Sequence, residues 1–274
     1  MTTPVSLTIP QFDEDPGPVF DLCARAADLG LTGLFAFDHL IPIKNPTRPV
    51  LEATSTLGAI AASAPPPVRV GSLVLRVTLR PPSVTADIAR TVAALVGSRA
   101  VIGLGVGDRF SAEEAIRFGF PPRNLEERLA LLSETVKAVR QEAESSEIWV
   151  GGTHPRLRNL AALEADGWNA WGISVADMVP MVAEVREAST RPLCVSWGGG
   201  VVLAPDQRQL KEALLRRSGG SALPGAPLIS GTPSQVVEEL SLRSSLVDEL
   251  VVSVLPNRPA TWELFAAEVL PNLG

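Results

Sequence analysis

Short apolar runs alternate with amphipathic stretches along the whole chain. "VSLTI" (5–9), "GLFAF" (33–37), "VRVGSLVL" (68–75), "AVIGLG" (100–105), "EIWVGG" (147–152), "NAWGI" (169–173), "PLCVSWGG" (192–199) and "DELVVSVL" (248–255) are the runs. They carry apolar or β-branched residues on both faces, which predicts eight strands buried on both sides. Between them the pattern changes to a helical period over 16–30, 51–63, 82–97, 124–144, 155–166, 177–188, 206–217, 233–243 and 260–270. The first of these opens near Pro16 and stops at Gly30, the usual asymmetry of helix ends. In 124–144, Leu125, Leu129, Leu132, Val136 and Val139 recur at helical spacing and predict one apolar face packed on a sheet. Eight strand–helix units predict an α/β fold, a parallel (β/α)₈ TIM barrel forming one domain over 1–274. Chemistry is then expected just after the strands, at their C-terminal ends.

Composition narrows the partners. Hydrophobic residues make up 46% of the 274, ample for a core, yet no apolar run approaches the roughly 18 residues that span a bilayer. The start, "MTTPVSLTIPQF", lacks a basic segment followed by a long apolar one, so no secretory signal and a cytoplasmic location are expected. Two cysteines, Cys23 within a helix and Cys194 within a strand, do not make a disulfide framework and read as small buried hydrophobes. A net charge of −6 with no basic run argues against nucleic acid. A small-molecule partner is the expectation.

The predicted strand ends carry Asp38 and His39, Arg76, "GVGD" (105–108), "GGTH" (151–154), Ser174 and Asp177, and "WGGG" (197–200). None of the three lysines, Lys44, Lys137 and Lys211, falls at such an end, which disfavours Schiff-base chemistry. Two histidines on separate strands and no paired cysteines disfavour zinc. A Mg²⁺ site from Asp38, Asp108 and Asp177 has no motif behind it. So few electrophiles point to an organic cofactor. The glycines of "GLGVG" (103–107) and "VGG" (150–152) leave backbone N–H groups exposed ahead of helices, where an anion is favoured; tight βα turns are the alternative reading. "GLGVG" lacks the last glycine of a dinucleotide fingerprint. Trp168, Trp171 and Trp197 fit either a pocket wall or core packing.

"GLFAFDHL", "VRVGSLVLRVTLRPPSVTADIARTVAALVGSRAVIGLGVGD", "FGFPPRNLEERLALLSETVKAVR", "IWVGG", "ADGWNAW", "GTPSQVVEEL" and "VDELVVSVLP" follow one another in the chain. Taken in that order they resemble the luciferase-like monooxygenase superfamily, the bacterial-luciferase fold, and in particular its branch that uses the deazaflavin coenzyme F420. The resemblance implies that His39 lies near the reactive face of the ring as acid, base or ring contact, with Asp38 orienting it. It implies a non-prolyl cis peptide at Leu73–Val74 against the back of the ring. It places Arg76, Gly105, Val106 and Gly107 along the cofactor, Asp108 where some relatives carry a catalytic Glu, and Gly151, Gly152 and Thr153 at its phosphate, with His154 or Arg156 adding charge. Asp108 also reads as the N-cap of a helix over "SAEEAIRF".

Two departures stand out. Relatives usually carry a long insertion before strand five that helps to cover the substrate, whereas few residues separate Gln141 from Ile148; a more open pocket, or one covered by a second subunit, is implied. Arg76 replaces a small polar residue and would either favour an anionic ring or substrate or obstruct the site. The expected function is F420-dependent hydride transfer with a small organic substrate, by a homodimer as the resemblance implies. The alternatives are an FMN-dependent monooxygenase fed by a flavin reductase, and a barrel subunit that has lost catalysis and cofactor.

Overall fold

The computed structural model describes residues 3–42, 49–218 and 228–273; Lys44 lies outside them. In chain order the elements are β1 (Val5–Thr8), α1 (Gly17–Arg25), β2 (Gly33–Ala36), α2 (Ala53–Ser63), β3 (Arg69–Arg76), α3 (Pro82–Val96), β4 (Ala100–Gly105), α4 (Arg109–Arg117), α5 (Leu125–Glu142) and β5 (Glu147–Gly151). There follow α6 (Pro155–Glu164), β6 (Gly167–Trp171), α7 (Val175–Ala188), β7 (Cys194–Leu203), α8 (Gln207–Ser218), β8 (Ile229–Gly231), α9 (Pro233–Ser244), β9 (Glu249–Leu255) and α10 (Pro259–Leu264). Helix ends follow local chemistry. Pro82 opens α3, and Asn124 and Glu127 cap α5 reciprocally, each side chain accepting the other's backbone N–H at 3.0 and 2.8 Å. No described helix is long and apolar enough to cross a membrane.

Every strand pairing is parallel. The ring runs β1–β2–β3–β4–β5–β6–β7–β9 and closes through the β1–β9 pair, giving the eight-stranded barrel predicted from the apolar runs. Two differences have local causes. β7 extends to Leu203, beyond the reach of β6, and its spare edge at 201–203 is taken by the three-residue β8. β6 begins at Gly167, two residues before the predicted start, because Gly167 already pairs with Trp149 of β5 and Cys194 of β7, and only a glycine fits there beside the Trp149 ring. The pairing of β3 with β4 shifts register between Ser72 and Leu75, around a cis Leu73–Val74 peptide located where the resemblance put it.

The inside of the barrel is filled in layers. Phe35, Leu73, Val101, Trp149 and Val251 form a central cluster in which the Phe35 and Trp149 rings stack at 5.6 Å. Burying a side chain such as Phe35 contributes roughly 1.5–3 kcal/mol. Below it, at the N-terminal strand ends, lies a charged floor. The Arg69 guanidinium sits 5.5 Å from the Trp149 ring centroid, pairs with Glu147 at 3.3 Å and closely with Glu249, and Glu249 also accepts the Ser6 hydroxyl at 2.5 Å. Glu249 is 2% exposed; burial drives its carboxyl above the ordinary range, against the pull of Arg69 and Ser6. Burial likewise raises the thiols of Cys23 and Cys194 to about 11 and about 12, which keeps both protonated.

The connection from α5 to β5 is only residues 143–146, closed by the Ser146 N–H and hydroxyl on the Ala143 carbonyl. As a helix-to-strand connection it lies at the N-terminal end of the barrel, with the floor. Its shortness therefore does not open the mouth at the opposite end, contrary to the expectation drawn from the sequence.

Candidate active site

The strand ends converge on one mouth. β2 stops at Ala36, and the next residue, Phe37, is fixed by the buried side chain of Gln11. Its amide oxygen accepts the Phe37 N–H at 2.7 Å, and its amide nitrogen donates to the carbonyls of Phe37 and Leu51 at 2.6 and 3.0 Å. Gln11 thus continues the hydrogen bonding of β2 after strand pairing has ended. The His39 ring is held beside Phe12 and Phe37, at centroid distances of 6.2 and 6.4 Å, and Phe37 meets Trp171 edge-on at 5.2 Å. Phe12, Phe37, His39 and Trp171 are half-buried and form one aromatic wall. Trp168 and Trp197 are fully buried core residues.

The partner of His39 is Glu114, a residue the sequence reading did not single out. Its Oε2 lies 3.4 Å from His39 Nδ1 and 2.9 Å from Arg76 Nη1, while Oε1 accepts the backbone N–H of Ile41 at 3.0 Å and that of Leu40. Glu114 is 2% exposed. Burial pushes its carboxyl up, but the His39 bond, the Arg76 charge and the Leu40 N–H together outweigh that and hold it below the ordinary carboxylate value. The group is therefore an anion at neutral pH, and in its bond with His39 the imidazole Nδ1 carries the hydrogen. Arg76 is 4% exposed and uses only one of its side-chain nitrogens here; Nε and Nη2 are buried with no acceptor among the described residues.

Asp38 does not orient His39. Its carboxylate accepts the Arg76 backbone N–H at 2.8 Å and both terminal nitrogens of Arg80 at 2.6 and 3.1 Å, and the Arg80 guanidinium also reaches Glu52 at 3.0 Å. The buried carboxylate ties β2 to the turn after β3, which leaves the imidazole to Glu114. Asp38→Asn is expected to lower the stability of the folded chain by about 2 kcal/mol through loss of charge-assisted bonds to Arg80, read as a shift of the urea midpoint at unchanged slope.

The other residues named from the sequence fall into two groups. Val74 points its methyls at β4 and β5: a Cβ at Gly105 would overlap Val74 Cγ2, and one at Gly151 would come within 2.7 Å of Cγ1. Leu73, Val74, Gly105 and Gly151 therefore meet around one apolar bulge at the mouth, while Val106, next along the chain from Gly105, packs in the main core cluster. At the turns beyond, Gly107 and Gly152 have φ of +76° and +122°, where a side chain is disfavoured. The Gly152 N–H donates to the Asn169 carbonyl at 3.1 Å and is not available to an anion, which corrects that part of the phosphate expectation. Arg156 is paired with Glu126 at the surface, and His154 caps α6 by accepting the Arg156 N–H at 3.2 Å. Two unforeseen arginines bracket these turns. Arg128 donates to the carbonyls of Val106 and Gly107 at 3.3 and 3.2 Å, and Arg158 donates to that of Thr153. Asp108 accepts the Ser111 N–H at 2.9 Å and so starts α4, the helix that delivers Glu114. Ser174 likewise caps α7, accepting the Asp177 N–H at 3.1 Å and donating to its carboxylate at 2.6 Å.

Residues 3–147 match the family profile described as luciferase-like monooxygenase. The chain is 30% identical over 150 residues to an F420-dependent glucose-6-phosphate dehydrogenase of Kineococcus radiotolerans, an alignment covering 54% of this chain and 43% of that protein. It is 27% identical over 193 residues to the protein of that name from Intrasporangium calvum, covering 70% and 57%. The chain thus spans about half the length of these curated relatives. Among solved structures, an F420-dependent secondary alcohol dehydrogenase in complex with an F420-acetone adduct superposes with a TM-score of 0.81 over all of both chains at 16% identity, a likeness of fold.

Proposed function

The chain belongs to the luciferase-like monooxygenase family, and from that premise we propose that it is an F420-dependent oxidoreductase acting on a small organic substrate. The observation that carries the reading is the mouth itself. His39, an aromatic wall and the Val74 bulge stand together there, and glycines 105 and 151 leave room for nothing larger than hydrogen beside Val74. These residues fit a flat heteroaromatic ring: an apolar bulge for one face, aromatic edges beside it and an imidazole within the same mouth. When bound, the deazaflavin supplies a two-electron hydride centre.

The chain's own residues do the rest. Leu73, Val74, Arg76, Gly105, Val106 and Gly107 would hold the ring. Gly151, Gly152 and Thr153 would line its phosphate tail, with Arg128 supplying positive charge at those turns; Arg158, like Arg156, is already paired with a carboxylate, that of Glu184 at 2.6 Å. His39 takes or gives the proton that accompanies oxidation or reduction of the substrate, since an imidazole nitrogen can accept or donate one. Asp38 secures the strand end, and Asp108 secures the helix that carries Glu114. The wall of Phe12, Phe37 and Trp171 keeps water from one side of the mouth. The reading includes a cytoplasmic homodimer.

Isothermal titration with F420 and with FMN tests the cofactor. F420 is expected to bind in the micromolar range or tighter, about −8 kcal/mol, and FMN much more weakly. FMN binding without F420 binding would move the protein to the flavin monooxygenases served by a reductase. Binding of neither would leave a non-catalytic barrel.

A further inference from the structure

Four donors converge on one carboxylate at the mouth. The backbone N–H groups of Leu40 and Ile41 meet one oxygen of Glu114, and Arg76 Nη1 and His39 Nδ1 meet the other. Glu114 enters this nest from α4, whose described inward side chains are polar or small. Ser111 and Glu114 are the buried ones, while Ile116, and Phe118 just past the helix end, stand 68% and 48% exposed. A helix that packed on the barrel by hydrophobic contact would turn those two residues inward. Among the described side chains of α4, the contact with the barrel mouth is a charged group in a socket of donors. The socket is also undersubscribed, because Arg76 is buried and its Nε and Nη2 have no acceptor among the described residues. Buried N–H groups without partners are uncommon, and on a guanidinium they are donors awaiting an acceptor.

We propose that this socket is a carboxylate-binding subsite for the substrate, filled here by Glu114 as an internal stand-in. This rests on the reading of the barrel mouth as an active site. A substrate carboxylate displaces that of Glu114, takes the amides of Leu40 and Ile41 on one oxygen and Arg76 on the other, and reaches the Arg76 nitrogens that Glu114 leaves unbonded. α4 then lifts from the mouth. The class of ligand follows from the socket. Two adjacent amides and one side of a guanidinium match a planar, two-oxygen acceptor. A single guanidinium balances a single negative charge, whereas a phosphate dianion would be left undercompensated in a buried site. The substrate is therefore a small organic carboxylate whose reacting carbon lies beside His39.

The test removes the stand-in. Glu114→Ala is titrated with acetate, against chloride at matched ionic strength, with the melting temperature and the heat of binding as readouts. Acetate is expected to raise the melting temperature saturably and to bind the variant roughly tenfold or more tightly than it binds wild-type protein, where Glu114 competes. Glu114→Ala/Arg76→Met is expected to lose that binding. Equal binding to variant and wild type, or acetate behaving as chloride does, overturns the proposal. If Glu114→Ala does not fold, hydrogen exchange on wild-type protein decides. Acetate, and not chloride, is expected to speed exchange of the α4 amides, and unchanged exchange overturns the proposal. Neither measurement uses F420, so failure of the titration with F420 and failure of this subsite are separate results.

Discussion

His39→Ala is expected to lower turnover by about 10²–10⁴-fold while F420 affinity stays within a few-fold of wild type. The imidazole is placed to handle a proton. It is seated by Gln11 through the Phe37 backbone, flanked by Phe12 and Phe37, and bonded at Nδ1 to Glu114, which leaves Nε2 as the nitrogen for exchange with a substrate. None of these contacts makes the ring a principal anchor for the cofactor, so binding and turnover should separate. The measurement is single-turnover hydride transfer, followed by deazaflavin absorbance on any substrate that the wild-type protein uses, beside a titration of F420 alone. Unchanged turnover would reduce His39 to a strand-end residue that holds Glu114, and α4 with it. Loss of F420 affinity in step with turnover would assign it to ring binding.

The second large effect lies at the other end of the barrel. Arg69→Met is expected to destabilise the fold by about 3 kcal/mol, the lower part of the range for stripping one partner from a buried pair, because Arg69 itself is partly exposed. The loss leaves Glu249 buried among β1, β3 and β9 with, among the described residues, only the Ser6 hydroxyl to accept from. The pH dependence identifies the cause. Burial already holds the Glu249 carboxyl above the ordinary carboxylate range, with Arg69 opposing. Removing Arg69 raises it further. A folded-state pKa above the unfolded one means that stability is fullest below the unfolded value and declines as pH rises through the folded one. The urea midpoint of Arg69→Met should therefore fall more steeply than wild type as pH rises above the ordinary carboxylate range. Adding Glu249→Gln should recover much of the loss and flatten the slope. A pH-independent loss would point instead to the missing contact between Arg69 and Trp149.

The barrel was legible in the sequence because its strands are apolar on both faces and end abruptly. Asp38-His39 after "GLFAF" marks the point where the lumen gives way to the mouth, and the structure places His39 there. What escaped were partnerships between distant segments. Arg80 meets Asp38 from 42 positions away, and nothing in "RPPSVTAD" distinguishes it from a surface arginine. Glu114 stands beside Glu113 in a helix whose polar surface reads as solvent-facing. The available signal was the inverse one: placing Ile116 and Phe118 outward leaves Ser111 and Glu114, three apart, on the inner face. β8 escaped because three residues carry no period, and its pairing depends on the edge that β7 exposes beyond β6. The tail of the cofactor was read from glycines alone, a backbone signal that cannot tell whether an N–H is already spent, as that of Gly152 is on Asn169.

Val74 and the glycines facing it form one steric unit. With no space for a methyl group at Gly105, and only 2.7 Å from Val74 Cγ1 for one at Gly151, neither glycine can acquire a side chain while position 74 remains branched. A lineage that enlarges either must first, or at once, shrink residue 74 and so reshape the surface offered to the ring. The three positions are thus expected to covary among descendants of this chain, and a swap of residue 74 between relatives should succeed only when its two glycine neighbours travel with it.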